Sequence, residues 1–207
     1  KVRYVGFSDT PAWKVAQAQT LAHLRGWTPL VALQIEYSLL ERTVEGDLVP
    51  CALELGLGVT PWSPLKSGVL SGKYLRGGAT DASRGVWVTS SLTEKAYDVI
   101  DVLVRVVKEA GSTSARVALA WVQGRPGVAS TILGARTVKQ LDDNLGALEV
   151  VLTPPQRAAL DEVSRPALPF PHGFLTFAGA VANGGTTIAG ETFPALPDAP
   201  ANEGEVY

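Results

Sequence analysis

Residues 58–74 read GVTPWSPLKSGVLSGKY. A short β-branched run ends in Trp62-Ser63-Pro64-Leu65 and gives way to a Gly- and Ser-rich segment that closes on Lys73-Tyr74. An aromatic plane, hydroxyls, small residues and a cation thus meet at one strand-to-loop junction. That mixture suits a flat ring and a phosphate, and it equally suits an ordinary connection. Which reading holds depends on where the strand stands in the order of elements.

Working outward, residues 57–61 form the strand itself. The helix before it spans 43–55, where Val44, Leu48, Ala52 and Leu55 recur at helical spacing and Gly56 supplies a C-cap. Further upstream lie an apolar strand over 30–34, a helix over 12–24 opened by Thr10-Pro11, and a first strand over 2–8 ending at Ser8-Asp9. Downstream, residues 93–110 carry the strongest helical stripe (Tyr97, Ile100, Leu103, Val104, Val107), ended by Gly111. A helix over 114–123 follows, then a fourth strand over 128–133 and a turn at Gly134 into a helix over 138–147. Thr153-Pro154-Pro155 caps a last helix to Val163. From Arg165 the chain is rich in Pro, Gly and Ala without clear period, and reads as a surface-hugging tail.

Strand and helix alternate four times, which predicts an α/β fold with parallel strands and crossover helices. The strands are near-continuously apolar, as burial on both faces requires. Four units make either a small open sheet or half of an eight-stranded barrel, and periodicity does not choose between them. In both, ligands belong at the carboxyl ends of the strands.

Composition removes other classes. A chain of 207 residues holds one domain, or one and part of a second. A net charge of −2 lacks the basic field that nucleic acid or an anionic membrane requires. The single Cys51 excludes an internal disulfide and fits a reducing compartment, so a cytoplasmic location is expected. No 18-residue apolar run or signal-peptide core is present, and the absence of Met suggests a chain that starts inside a longer one.

Four stretches occupy the carboxyl ends: Ser8-Asp9, Gln34 to Tyr37, Trp62 to Leu65, and Gly134 to Arg136. Each has a plain structural reading: helix N-capping by Ser8 to Pro11, a satisfied core amide at Gln34, a core aromatic at Trp62, an idle surface cation at Arg136. Taken together they have a functional one. An amide pairs with a carboxamide, the Trp62 face stacks on a heteroaromatic ring, and backbone N–H groups near Ser67 and Gly68, with Lys73, hold a pyrophosphate. Gly134 permits close approach, and Arg136 at a helix N-terminus offers a site for a terminal phosphate. No GxGxxG follows a strand, so the Rossmann route is unsupported.

KVRYVGFSD, LQIEYSLLER, GVTPWSPLKSGVLSGKY and ILGARTVKQLDDNLGALE resemble, in order and spacing, the second half of the aldo-keto reductases. The resemblance covers residues 1–166, and the FPHGF and GGTTI pieces are similar to family tails. It implies half of a (β/α)8 barrel over 1–165, a tail over 166–207, and NADP(H) as cofactor. Ser8 and Gln34 would hold the carboxamide and Trp62 would stack on the nicotinamide. Asp9 stands where the family usually has Asn. Ser63, Pro64, Leu65, Ser67 and Lys73 would line the pyrophosphate. Gly134, Arg136, Gln140, Asp143 and Asn144 would hold the adenosine end, with Arg136 favouring NADP over NAD and Asp143 one methylene shorter than the common Glu.

The resemblance also implies that the family's catalytic Asp, Tyr, Lys and His lie on strands before Lys1. No catalytic residue is therefore expected here: His23 falls in a helix, His172 in the tail, Tyr4 in mid-strand, and Tyr37 at a structural position of its motif. Three alternatives remain: part of a carbonyl reductase; a natural half-barrel that binds nucleotide or a protein partner without reductase chemistry; or a scaffold that binds neither. Two open sheet edges and apolar inner faces further predict a homo-oligomer.

Overall fold

The computed structural model describes residues 1–77 and 86–195. The chain divides into two compact units, Lys1–Pro166 and Ala167–Tyr207.

In the first unit, β1 (Val5–Ser8), β2 (Leu30–Glu36) and β3 (Gly58–Trp62) form a parallel sheet in sequential order. Helices α1 (Ala12–Arg25) and α2 (Leu48–Glu54) connect successive strands. Register separates the two faces. Phe7, Leu33 and Val59 share one row, and Leu33, Ile35 and Val59 are fully buried in the core with Val15, Ile100, Leu103 and Trp121. The opposite face carries Gly6, Ala32 and Gly58 in one row and Ser8, Gln34 and Thr60 in the next, then Glu36 beside Trp62. A Cβ on Gly6 would meet the Ala32 carbonyl oxygen at 2.8 Å, and one on Gly58 would meet Ala129 Cβ at 3.1 Å, so the first row admits only small residues. This face is small and polar rather than apolar, which corrects the inner-face argument for oligomers. Tyr4 precedes β1 and is 73% exposed instead of sitting in mid-strand.

Among the described residues of this unit three strands form where the sequence predicts four. Residues 127–132 run alongside β3: Val59 N–H donates to Gly127 O at 2.8 Å, Ala129 N–H to Val59 O at 2.9 Å, and Ile132 N–H to Pro61 O at 2.8 Å. Val59 and Val128 make a single parallel bridge. Two causes stop the ladder there. Pro61 has no N–H to continue it, and the donors on the outer segment are three residues apart against acceptors two apart, which forces a bulge. Thr131 takes the extra place, donating its N–H and hydroxyl to Gln123 Oε1 at 3.1 and 2.8 Å.

Threonines set the downstream helices. Thr93, Thr113, Thr137 and Thr153 are the N-caps of α4 (Glu94–Ala110), α5 (Ser114–Gln123), α6 (Val138–Leu145) and α7 (Pro154–Val163), each hydroxyl accepting the N–H three residues on. Such a cap contributes about 1 kcal/mol. The stripe that α4 buries is Ala96, Val99, Ile100, Leu103 and Val106; Tyr97, Val104 and Val107 lie at its margin. A short helix, α3 (Val86–Ser91), was not foreseen. The expected helix over 43–55 divides into a 3-10 turn at Thr43–Glu45 and α2. Gly46-Asp47 separates them, and Glu45 is held by ion pairs to Arg42 and Arg125.

The second unit has more structure than a patternless tail. Helix α8 (His172–Asn183) precedes a hairpin of β4 (Thr187–Ile188) and β5 (Glu191–Thr192). Ala189 and Gly190 turn the hairpin with φ of +52° and +86°, the double left-handed pair of a type I′ turn. The rest of the expected tail, residues 196–207, lies outside the described residues. Among the described residues no helix is long and apolar enough to cross a membrane.

Candidate functional site

The loops leaving the carboxyl ends of β1 and β3 carry a run of left-handed residues: Asp9, Ser63, Lys66 and Ser67, with φ of +46°, +50°, +47° and +53°. Each costs about 1–3 kcal/mol outside glycine and persists only where surrounding contacts impose it.

Asp9 shows what those contacts are. Its N–H donates to Gln34 O at 3.0 Å. Its carboxylate accepts the Trp62 indole N–H at 3.0 Å on one oxygen and the Ser8 hydroxyl at 3.1 Å on the other. Helix α1 has Pro11 at its N-cap and no side-chain cap bond, so the helix-capping reading of Ser8 to Pro11 does not hold. Trp62 is half-buried, held by its edge. Gln34 is exposed, and its amide has no hydrogen-bond partner among the described residues.

The loop after Trp62 satisfies its own backbone. Lys66 N–H donates to Ser63 O at 2.8 Å, Ser67 N–H to Ser63 Oγ at 3.2 Å and Gly68 N–H to Leu65 O at 3.0 Å. The Ser67 and Gly68 amides expected to face a pyrophosphate are thus already engaged. Lys66, the nearer lysine, pairs with Glu36 at 2.7 Å. Lys73 is exposed and makes no ion pair among the described residues.

Between this loop and the 132–144 segment opens a cavity of about 1010 Å³. Ser63, Pro64, Leu65, Ser67, Lys73, Gly134, Arg136, Gln140, Asp143 and Asn144 line it. Ser8, Asp9, Gln34 and Trp62 lie outside it, at the strand ends beside Ser63. Inside the cavity the polar groups divide into two kinds. Gln140 accepts the Arg136 N–H at 2.9 Å, and buried Asn144 donates to Gly134 O at 3.4 Å, so both shape the loop. Asp143 is tied to Arg116 at 2.9 Å. Arg116 reaches it across Gly146, where a Cβ would sit 2.5 Å from the guanidinium carbon. The Arg136 guanidinium makes no ion pair among the described residues, and nothing stands within 4 Å of where a Gly134 Cβ would be.

Sequence reading missed Ser71, Val88, Ala115, Ile132 and Leu133 in the lining, and Arg116 behind it. Ser71 lies in the opening stretch and was available to it; the others arrive from α3, α5 and the bulged segment through tertiary packing.

Tyr37 is closed to chemistry. Its ring is 1% exposed, its hydroxyl donates to Glu45 at 2.6 Å and accepts from Arg125 at 3.0 Å. Burial, reinforced by the Glu45 hydrogen bond, pushes the phenol well above its ordinary value. Burial alone would raise the Glu45 carboxyl, but hydrogen bonds from Arg42 and Tyr37 hold it below the usual carboxylate range. Among the described residues no cluster of His, Cys, Asp and Glu could hold a metal.

Parallel βα units with polar groups gathered at their carboxyl ends make an α/β protein with the arrangement in which such folds place their ligand sites. The chain belongs to the aldo/keto reductase family, matching it over residues 1–165. It is 42% identical over 152 residues to the uncharacterized oxidoreductase YrpG of Bacillus subtilis, covering 73% of this chain and 46% of that one. To the aryl-alcohol dehydrogenase [NADP(+)] of Phanerodontia chrysosporium it is 32% identical over 183 residues, covering 84% and 46%. To a probable voltage-gated potassium channel subunit beta of Oryza sativa subsp. japonica it is 34% identical over 160 residues, covering 73% and 49%. The chain spans about half the length of these curated relatives.

Proposed function

We propose that the first unit is an NADP(H)-binding half-barrel of an aldo-keto reductase, an oxidoreductase acting on carbonyl and alcohol substrates. The observation that carries this reading is the pair Arg136 and Lys73, two cations without ion-pair partners among the described residues, lining one cavity of about 1010 Å³. A cavity that size lies at the upper end of the range for small-molecule and cofactor sites, roughly 300–1,000 Å³.

The residues fit the nucleotide. Arg136 pairs with a 2′-phosphate, Gly134 leaves room above its backbone, and Lys73 with the Ser63 and Ser67 hydroxyls takes the pyrophosphate in place of the engaged amides. Gln34 offers a free amide to the carboxamide, and the Trp62 face receives the ring. When bound, the nicotinamide exchanges hydride with a carbonyl or alcohol carbon. The chain's own part is to hold the nucleotide, orient the ring at the strand ends and exclude water from one side.

A second reading is favoured by the locked Tyr37: a module that binds nucleotide or a protein partner without reductase chemistry. The likeness to the potassium-channel subunit is compatible with it. Association of two copies through the open β1 edge accompanies either reading, supported by exposed Val2, Tyr4 and Val5 at the start of that edge. A cytoplasmic location fits both.

Calorimetric titration with NADPH and NADH tests the proposal. NADPH is expected to bind roughly tenfold or more tightly, since a charge-assisted pair contributes about 1.5–3 kcal/mol. Lack of binding by both at millimolar concentration would overturn it. In an NADPH-oxidation assay with an activated aldehyde, turnover within about tenfold of a full-length relative would reject the second reading, because general-acid help alone is a factor of about 10²–10⁴.

A further inference from the structure

The acid at the indole edge has no countercharge. Asp9 makes no ion pair among the described residues, while Glu36, the register partner of Trp62, is neutralised by Lys66 at 2.7 Å. The Asp9 carboxylate therefore stands as the uncompensated negative charge of the ring site. It is fixed there on both oxygens, by the Trp62 indole N–H at 3.0 Å and the Ser8 hydroxyl at 3.1 Å, and by its own N–H to Gln34 O at 3.0 Å.

Resting on the nucleotide-binding reading, we infer that Asp9 makes the site select the oxidised form of the cofactor. The two redox forms share their phosphates and adenosine and differ at the ring: oxidised nicotinamide is a pyridinium cation, and reduced nicotinamide is neutral. Contacts at the cavity's Arg136 and Lys73 are common to both and cancel in their ratio. A ring laid on the indole face has the carboxylate at its margin, because Asp9 is bonded to the indole's own edge. The aromatic face adds attraction of the same sign, since a tryptophan π-face favours a cation. Both act on the oxidised form alone.

An opposite charge within about 4–6 Å commonly shifts a charged-versus-neutral equilibrium by about 10- to 1,000-fold. Asp9 is exposed, so solvent screening places the expected effect at the low end, about tenfold. The direction of the bias is toward loading the site with the oxidised form at equal cofactor concentrations.

The test is to measure dissociation constants of NADP+, NADPH and adenosine 2′,5′-bisphosphate for the wild-type chain and for Asp9→Asn. Asparagine keeps an acceptor for the indole N–H, tolerates the left-handed backbone and removes the charge. The expected result is a preference for NADP+ over NADPH that falls about tenfold in the variant, while adenosine 2′,5′-bisphosphate affinity is unchanged. A ratio unaltered within twofold, with both dinucleotides bound, overturns this inference and leaves the nucleotide site standing. Equal weakening of all three probes assigns Asp9 a purely structural part and also overturns it. No binding by any probe overturns the site and the inference together. The wild-type chain supplies a second reading without mutation: the NADP+ to NADPH ratio is expected to shrink from low to high salt, and a salt-independent ratio contradicts the charge mechanism.

Discussion

Two groups of arginines and polar residues belong to the same unit and dispose of their hydrogen bonds in opposite ways. Around Trp121, Arg42 donates to both Glu45 oxygens at 2.9 Å, to the Asp161 carbonyl at 2.8 Å and to Ser164 Oγ at 2.7 Å. Arg125 donates to Tyr37, Asp161 and Glu45, and both guanidinium groups lie over the Trp121 ring at 5.1 and 4.8 Å. Every strong donor there has an acceptor within the protein. At the strand ends, Arg136, Lys73 and the Gln34 amide have none among the described residues, and the backbone beside them is strained. A closed network fastens 37–45 to α5 and α7. An open set of donors is what a soluble anionic ligand requires, and the contrast lies in partners rather than in residue types.

The largest expected effect comes from opening the closed group. Arg42→Ala leaves Glu45 with Arg125 and Tyr37 alone and takes the guanidinium donor from the Asp161 carbonyl and Ser164 Oγ. Removing one partner of a buried pair costs about 3–5 kcal/mol, the low end applying where other partners remain. Glu45 is 19% exposed on its side chain, so about 3 kcal/mol is expected, read as a lower denaturant midpoint at unchanged slope. A loss under about 1 kcal/mol would show that the network is ornamental to stability.

Arg136→Ala should do the reverse: stability within about 0.5 kcal/mol of wild type, and the NADPH-over-NADH preference reduced about tenfold. A large stability loss here would erase the comparison.

Protonation gives a smaller and signed effect. The folded Glu45 carboxyl titrates below its unfolded value of about 4.3, so its contribution is full above that pH and is lost as pH falls through the folded value. The folded Tyr37 phenol titrates above its unfolded value of about 10, so its contribution is full below that pH and fades as pH rises beyond it. Glu45→Gln is expected to flatten the acid limb of a stability–pH curve, and Tyr37→Phe the alkaline limb. Unchanged limbs in both variants would mean other groups govern them.

The smallest effect is expected from Asn144→Ala. Its bond to Gly134 O is long at 3.4 Å, and a net loss of about 0.5–1 kcal/mol is anticipated, with a modest decrease in nucleotide affinity as the 134–136 loop loosens. Chemical denaturation and calorimetry on the same sample separate the two.

How much of this the sequence disclosed follows from the range of the forces involved. Thr93, Thr113, Thr137 and Thr153 announce their helices because a cap is local, satisfied within three residues. The strand-end stretches could be placed together because alternating βα units fix which loops share an edge. The bulge at Thr131 could not be read, since it depends on Pro61 opposite and on Gln123 eight residues back. The closed network joins residues up to 122 apart in sequence (Arg42 to Ser164), so Tyr37 and Arg42 looked like parts of a motif and nothing more. Helix α8 has no charged residue to mark a polar face, and its period was invisible for that reason. Asp9 could be placed at the strand ends, with helix capping as its plain alternative, but its bond to Trp62 could not be read, since that partner is 53 residues away.

The central claim, that the open donors are reserved for a nucleotide and the closed ones for the fold, is tested most directly by hydrogen–deuterium exchange with and without NADPH. Added nucleotide is expected to protect backbone amides in 63–73 and 132–144 while exchange in 37–45 and 121–125 stays as it was. Protection spread evenly over both regions, or absent from the strand-end loops, would contradict the account.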